Sequence, residues 1–142
     1  MRAFINSGSA TSQLHSKSKT RRETALAAIL LAGEPGVGKS TLLLSVASES
    51  AKAGITSLYI SGEESASQVR LRAQRLNAID KNLWLAAENE LGAVIAQIDQ
   101  VQPELLIIDS IQTIVSSAVD GAPGGVTQVR EIAAALIRIA KE

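Results

Sequence analysis

Short aliphatic runs alternate along this chain with longer stretches whose apolar residues recur every three or four positions. The runs at residues 27–32, 56–60, 83–85 and 105–109 are brief, apolar and rich in Leu, Ile and Ala, which predicts buried strands. Between them, Leu42, Leu43, Val46 and Ala47 predict a helix that ends at Gly54. Val69, Ala73 and Leu76 predict a second, opened by a capping box at Ser65–Gln68. Leu91, Val94, Ile95, Ile98 and Val101 form a third stripe, with Asn89 as its N-cap and Pro103 as its stop. Val129, Ile132, Ala133, Leu136, Ile137 and Ala140 form a fourth. Residues 116–126, with Ser, Asp, Pro and three glycines, read as a mobile loop. Strands apolar on both sides and separated by helices predict an α/β fold, a mostly parallel sheet covered on both faces.

Composition narrows what such a layer can do. The chain has 142 residues and is 46% hydrophobic, enough for one domain with a real core. Its aromatic residues are Phe4, Tyr59 and Trp84, so base-stacking platforms are not expected. Formal charge is zero but unevenly placed: Arg2, Lys17, Lys19, Arg21 and Arg22 all precede the first acid, Glu23. From Glu23 onward 9 basic residues face 14 acidic ones, a net of −5, so nucleic acid would need a local basic patch. There are no cysteines, which excludes disulfides and thiolate metal sites in this chain and fits a reducing compartment. No apolar run reaches membrane-spanning length, and no membrane association is expected. Residues 1–24 form a basic tail with three open readings: disorder, an organellar transit peptide, or a substitute for residues an intact protein carries there.

The chemistry concentrates at Gly33-Glu34-Pro35-Gly36-Val37-Gly38-Lys39-Ser40, followed by Thr41. This is a complete G-x-x-x-x-G-K-[ST] phosphate-binding loop at a predicted strand-to-helix junction. Its glycines let backbone N–H groups approach phosphate, and the following helix directs its positive end there. Lys39 is expected to reach the β- and γ-phosphates of a bound nucleotide and Ser40 to ligate Mg²⁺. Thr41 is a candidate α-phosphate donor or a packing residue.

Asp109 closes an aliphatic strand, the position from which a carboxylate holds Mg²⁺ through water. Glu63 and Glu64 follow the strand at 56–60 on the same sheet edge. Spacing leaves two readings open: a carboxylate that orients the attacking water, or an acidic start that favours the helix dipole.

Gly33–Leu44 (GEPGVGKSTLLL), Tyr59–Ser65 (YISGEES), Asp109–Thr113 (DSIQT) and Gln128–Glu131 (QVRE) occur in order at fitting intervals. Together they resemble the RecA-like ATPases of bacterial DNA repair, from about Ile29 to the C-terminus. The resemblance implies a RecA-like P-loop core over residues 25–142, with Glu63 and Lys39 as catalytic residues and ATP and Mg²⁺ as ligands. It makes Gln128 and Arg130 candidate DNA or subunit contacts, an exposed helix start being the other reading of Arg130. It further implies DNA-dependent ATP hydrolysis on single-stranded or branched DNA, a ring-shaped homo-oligomer, a RecA-type recombinase as partner, and the bacterial cytoplasm. The family's four-cysteine zinc motif, Lys-Asn-Arg-Phe-Gly motif and Lon-protease-like domain do not occur in this sequence. The expectation is therefore a core truncated at its C-terminal side, without a zinc site. Such a chain hydrolyses ATP or serves as a non-catalytic nucleotide-binding or interface-occupying module. The Asp109–Thr113 run argues against a replicative-helicase or clock-type relative.

Overall fold

Three of the four anticipated aliphatic strands pair into a parallel sheet, and its register sets where Asp109 and the chain leading to Glu63 leave the carboxyl edge. The structure is a computed structural model that describes Ile5–Asn6 and residues 28–141. In chain order the elements are β1 (Ile5–Asn6), α1 (Lys39–Lys52), β2 (Ser57–Ser61), α2 (Ala66–Arg75), β3 (Leu83–Ala87), α3 (Leu91–Val101), β4 (Leu105–Asp109), a single 3₁₀ turn at Ile111–Thr113, and α4 (Val126–Lys141). The strand order is β1-β3-β2-β4, with β1 antiparallel to β3 and the other pairs parallel. Strands 2, 3 and 4 end level: Ser61 lies opposite Ala87 on one side and Asp109 on the other.

β2 is buried at all five positions, as a strand with a neighbour on each side and helices on each face must be. Its alternate residues serve two layers. Tyr59 joins Leu44, Ala47 and Ala51 of α1 and Val69 and Ala73 of α2. Leu58 and Ile60 join Val94 and Ile98 of α3 and Ile132 and Ala135 of α4. The capping box forms as anticipated: Ser65 Oγ accepts from the Gln68 N–H, and the Ser65 N–H donates to Gln68 Oε1 at 2.9 Å. Gly54, at φ +90°, supplies the left-handed residue after α1 that an L side chain would resist.

Four expectations are corrected. Residues 28–32 form no strand; Ile29 and Leu30 are 90% and 82% exposed, and no described strand pairs with them. An unpaired segment cannot enter a sheet layer without stranding its backbone groups, so it stays in solvent. Ala27 and most of residues 1–24 lie outside the described residues, although Ile5–Asn6 of that basic tail pair with Leu85 and Trp84. The apolar stripes of α1 and α4 are rotated from those anticipated. Leu44, Ala47 and Ala51 face the core while Leu42 and Val46 are exposed; Ile132 and Ala135 are buried while Ile137 is exposed. The N-cap of α3 is Glu90, whose carboxylate accepts from the Ala93 N–H at 2.9 Å, because Asn89 is engaged through its carbonyl by the Val115 N–H.

The loop after β4 is fastened from inside. Gln128 is 3% exposed. Its Oε1 accepts from the Ser116 N–H at 2.8 Å, and its Nε2 donates to the carbonyls of Ser116 at 3.1 Å and Val119 at 2.7 Å. A buried amide that satisfies loop backbone is costly to remove. Gln128→Ala is expected to lower unfolding free energy by about 1–3 kcal/mol. Urea unfolding measures that loss, and faster hydrogen exchange at the Ser116 amide localises it.

Candidate active site

α1 aims its N-terminus at the carboxyl edge of the sheet. Asn82 Nδ2 donates to the Ala51 carbonyl at 2.9 Å, and the Asn82 carbonyl accepts from the Ser57 N–H. The C-terminal end of α1 is thereby fixed beside the starts of β2 and β3. Fourteen residues at about 1.5 Å each then carry its other end past five-residue strands. The N-cap is Gly38, which makes no side-chain cap, and the first turn contains no acid. Gly36 at φ +80° and Gly38 at φ +91° occupy left-handed backbone, and a Cβ at either would meet nothing within 4 Å. The result is an open, exposed loop at an uncapped helix N-terminus, the arrangement that suits an anion.

Lys39 closes this loop on itself, donating Nζ to the carbonyls of Gly33 at 2.7 Å and Glu34 at 2.6 Å. Ser40 is half-buried in the first turn, and Thr41 is exposed, its carbonyl accepting from Ser45 Oγ. Glu34, Pro35 and Val37 form the exposed rim.

Across the edge lies a second group. The Gly62 N–H donates to the Asp109 carbonyl at 3.1 Å, carrying the β2–β4 ladder one step past the strands. Ser61 Oγ then accepts from the N–H groups of Glu63 and Glu64, which bends the chain into α2. The two glutamates, equivalent by spacing, separate here. Glu64 pairs with Arg72 Nη1 at 3.1 Å, whereas Glu63 is exposed and takes only a 3.3 Å hydrogen bond from Ser110 Oγ. Asp109 Oδ2 accepts from the Tyr59 hydroxyl at 2.5 Å, and that hydroxyl accepts from Arg72 Nη2 at 3.0 Å. Burial, and then the Asp109 carboxylate, push the Tyr59 phenol well above its ordinary range, so it stays a donor.

A cleft of about 270 Å³ opens beside this group, lined by Ser61, Gly62, Glu63, Glu64 and Glu88 among others. Three carboxylates make it a poor home for polyphosphate. Among the described residues, the carboxylates gather at this cleft, whereas the first turn of α1 contains no acid. Among the described residues no hydrogen bond or ion pair joins the loop at 33–40 to Glu63 or Asp109; the fold brings them to one edge without contact.

The remaining candidates fall elsewhere. Arg130 is exposed near the start of α4. Gln128, a candidate DNA or subunit contact, is buried and turned into the loop it fastens. Sequence reasoning missed Gly62, where a Cβ would lie 2.0 Å from Thr113 Oγ1. It also missed Ser61, Arg72 and Tyr59; the signal available was a tyrosine and two serines in an otherwise aliphatic strand.

A family model described as AAA domain matches residues 24–142. The chain is 51% identical over 113 residues to the DNA repair protein RadA of Streptococcus pneumoniae, covering 80% of this chain and 27% of that protein. It is 52% identical over 112 residues to RadA of Mycolicibacterium smegmatis and 54% identical over 114 residues to RadA of Mycobacterium tuberculosis, each covering 79% of this chain and 24% of the relative. The chain thus spans about a quarter of the length of these curated relatives.

Two outcomes test the edge geometry. Gly62→Ala is expected to destabilise the fold by about 1–3 kcal/mol, with part of the loss restored by adding Thr113→Ala, as read from denaturant midpoints. Because the unfolded chain releases the tyrosine proton at lower pH than the folded one, stability is expected to fall above about pH 10. Tyr59→Phe should flatten that slope; an unchanged slope would place the titration elsewhere.

Proposed function

The chain belongs to the AAA-domain family, and from that premise we propose that it is the ATP-binding and ATP-hydrolysing core of a RadA-like DNA repair and recombination protein. The observation that carries this reading is the uncapped N-terminus of α1, with its lysine and glycine-bent loop, on the same sheet edge as the exposed carboxylate of Glu63.

ATP and Mg²⁺ fit the residues present. The space beside Gly36 and Gly38 is open where a Cβ would stand, and the first turn of α1 offers N–H groups and a hydroxyl without a competing acid. Gly33–Thr41 would hold the phosphates, and Ser40 and Asp109 would hold the metal, Asp109 through water. Mg²⁺, when bound, offsets charge on the β- and γ-phosphate oxygens. Lys39 exchanges two neutral carbonyls for phosphate oxygens, a stronger charge-assisted contact. Glu63 orients water and accepts its proton as the oxygen–phosphorus bond forms and the β–γ bridge breaks. Glu64 is the poorer base, because Arg72 already occupies its carboxylate.

The DNA substrate is single-stranded or branched DNA. Arg130 is the contact we favour, since Gln128 is committed to the loop. A ring of identical subunits, a RecA-type recombinase as partner and the bacterial cytoplasm complete the proposal; the relatives named above are bacterial. No described helix is long and apolar enough to cross a membrane.

A second reading has its own support. Ile29 and Leu30 are exposed, and β4 is an edge strand, half-exposed at four of its five positions. A chain in this form binds nucleotide, or occupies an interface, without turnover.

Phosphate release separates the two. The catalytic reading predicts release stimulated by single-stranded DNA and cut by about 10²–10⁴-fold in Glu63→Gln with nucleotide binding retained. Lys39→Ala should weaken binding itself by about 10–100-fold, the loss of a charge-assisted contact. Tight binding without release, with or without DNA, selects the non-catalytic reading.

A further inference from the structure

Tyr59 is the least expected side chain in β2: a fully buried phenol in a layer otherwise filled by Leu, Val, Ile and Ala. A buried hydroxyl needs partners. Here it has two, a carboxylate that accepts its hydrogen bond and a guanidinium that donates to its oxygen. The register explains why the residue is long. Tyr59 lies opposite Ile107, two residues before Asp109, so only a side chain that extends along the strand reaches the Asp109 carboxylate. The guanidinium of Arg72 lies 5.9 Å from the Tyr59 ring centroid and is tied at its other nitrogen to Glu64.

This arrangement keeps a cation near Asp109 without pairing the two. Arg72 meets the phenol and Glu64, and the phenol meets Asp109. A direct Arg72–Asp109 pair would neutralise the charge that a metal needs. With Tyr59 interposed, one oxygen of Asp109 is fixed by a neutral donor and the other stays available. We propose that Tyr59, backed by Arg72, is a positioning residue that sets the orientation in which Asp109 receives nucleotide-bound magnesium. This rests on the reading of Asp109 given above. Outer-shell partners of this kind change metal affinity by about 10–100-fold when removed, and an aspartate that acts through water places the effect at the lower end.

The test is the affinity of the 142-residue chain for a fluorescent ATP analogue, measured against Mg²⁺ concentration and again in excess EDTA. Tyr59→Phe keeps the ring and removes only the hydroxyl. It is expected to require about 10-fold more Mg²⁺ for half-maximal enhancement, with metal-free affinity unchanged. Asp109→Asn should shift at least as far, and the double variant no further than Asp109→Asn alone. A Tyr59→Phe curve that overlays the wild type, beside a shifted Asp109→Asn curve, overturns this inference and leaves the reading of Asp109 standing. An Asp109→Asn curve that also overlays the wild type overturns both. If Tyr59→Phe does not fold, Arg72→Met carries the same test. A shift to higher Mg²⁺ supports the proposal, and an overlay overturns it.

Discussion

β2 is held between two parallel neighbours and sealed by helices on both faces, and nearly everything else follows from that confinement. Its two flanking registers bring the ends of three strands level, so Ser61 has Ala87 on one side and Asp109 on the other. The ladder continues one residue beyond, through Gly62, where the 3₁₀ turn at 111–113 approaches too closely for any side chain. That crowding fixes where Glu63 and Glu64 leave the sheet. α1, tied by Asn82 at its far end, can point its N-terminus only toward the same edge. A packing constraint in the core therefore sets the positions of the charged groups outside it.

Charge is sorted along that edge. The helix end has glycines, a lysine and no acid in its first turn; the strand ends have Glu63, Glu64, Glu88 and Asp109. Neighbouring carboxylates then differ by their partners. Arg72 holds Glu64, the Tyr59 phenol holds one oxygen of Asp109, and Glu63 keeps only a long hydrogen bond from Ser110. Residues alike in type and spacing thereby acquire different chemistry.

The glycine-bent loop before α1, the capping box at Ser65 and the strand ending in Asp109 were legible in the sequence because each is local: a turn type, a cap and an aliphatic run carry their own signals. The strand at 27–32 was misread, as far as residues 28–32 show, because an apolar run does not say whether it pairs; among the described residues the β4 edge is left open. The stripes of α1 and α4 were rotated because both helices carry more apolar residues than one face can bury, and only the sheet decides which face. The burial of Gln128 was not legible because it depends on backbone 7 to 12 positions away that folds over it. The roles of Gly62 and Arg72 depend on residues 47 to 51 and 8 to 13 positions away, respectively, and no spacing rule reaches them.

We propose that one sheet edge binds ATP and Mg²⁺ between α1 and the strand-end carboxylates. Backbone amide NMR of the chain, titrated with a non-hydrolysable ATP analogue and Mg²⁺, tests it most directly. Shifts are expected to concentrate at Gly33–Thr41, with a second set at Gly62–Glu64 and Asp109–Thr113 that requires Mg²⁺. Shifts confined to other surfaces, or none at saturating nucleotide, would contradict it.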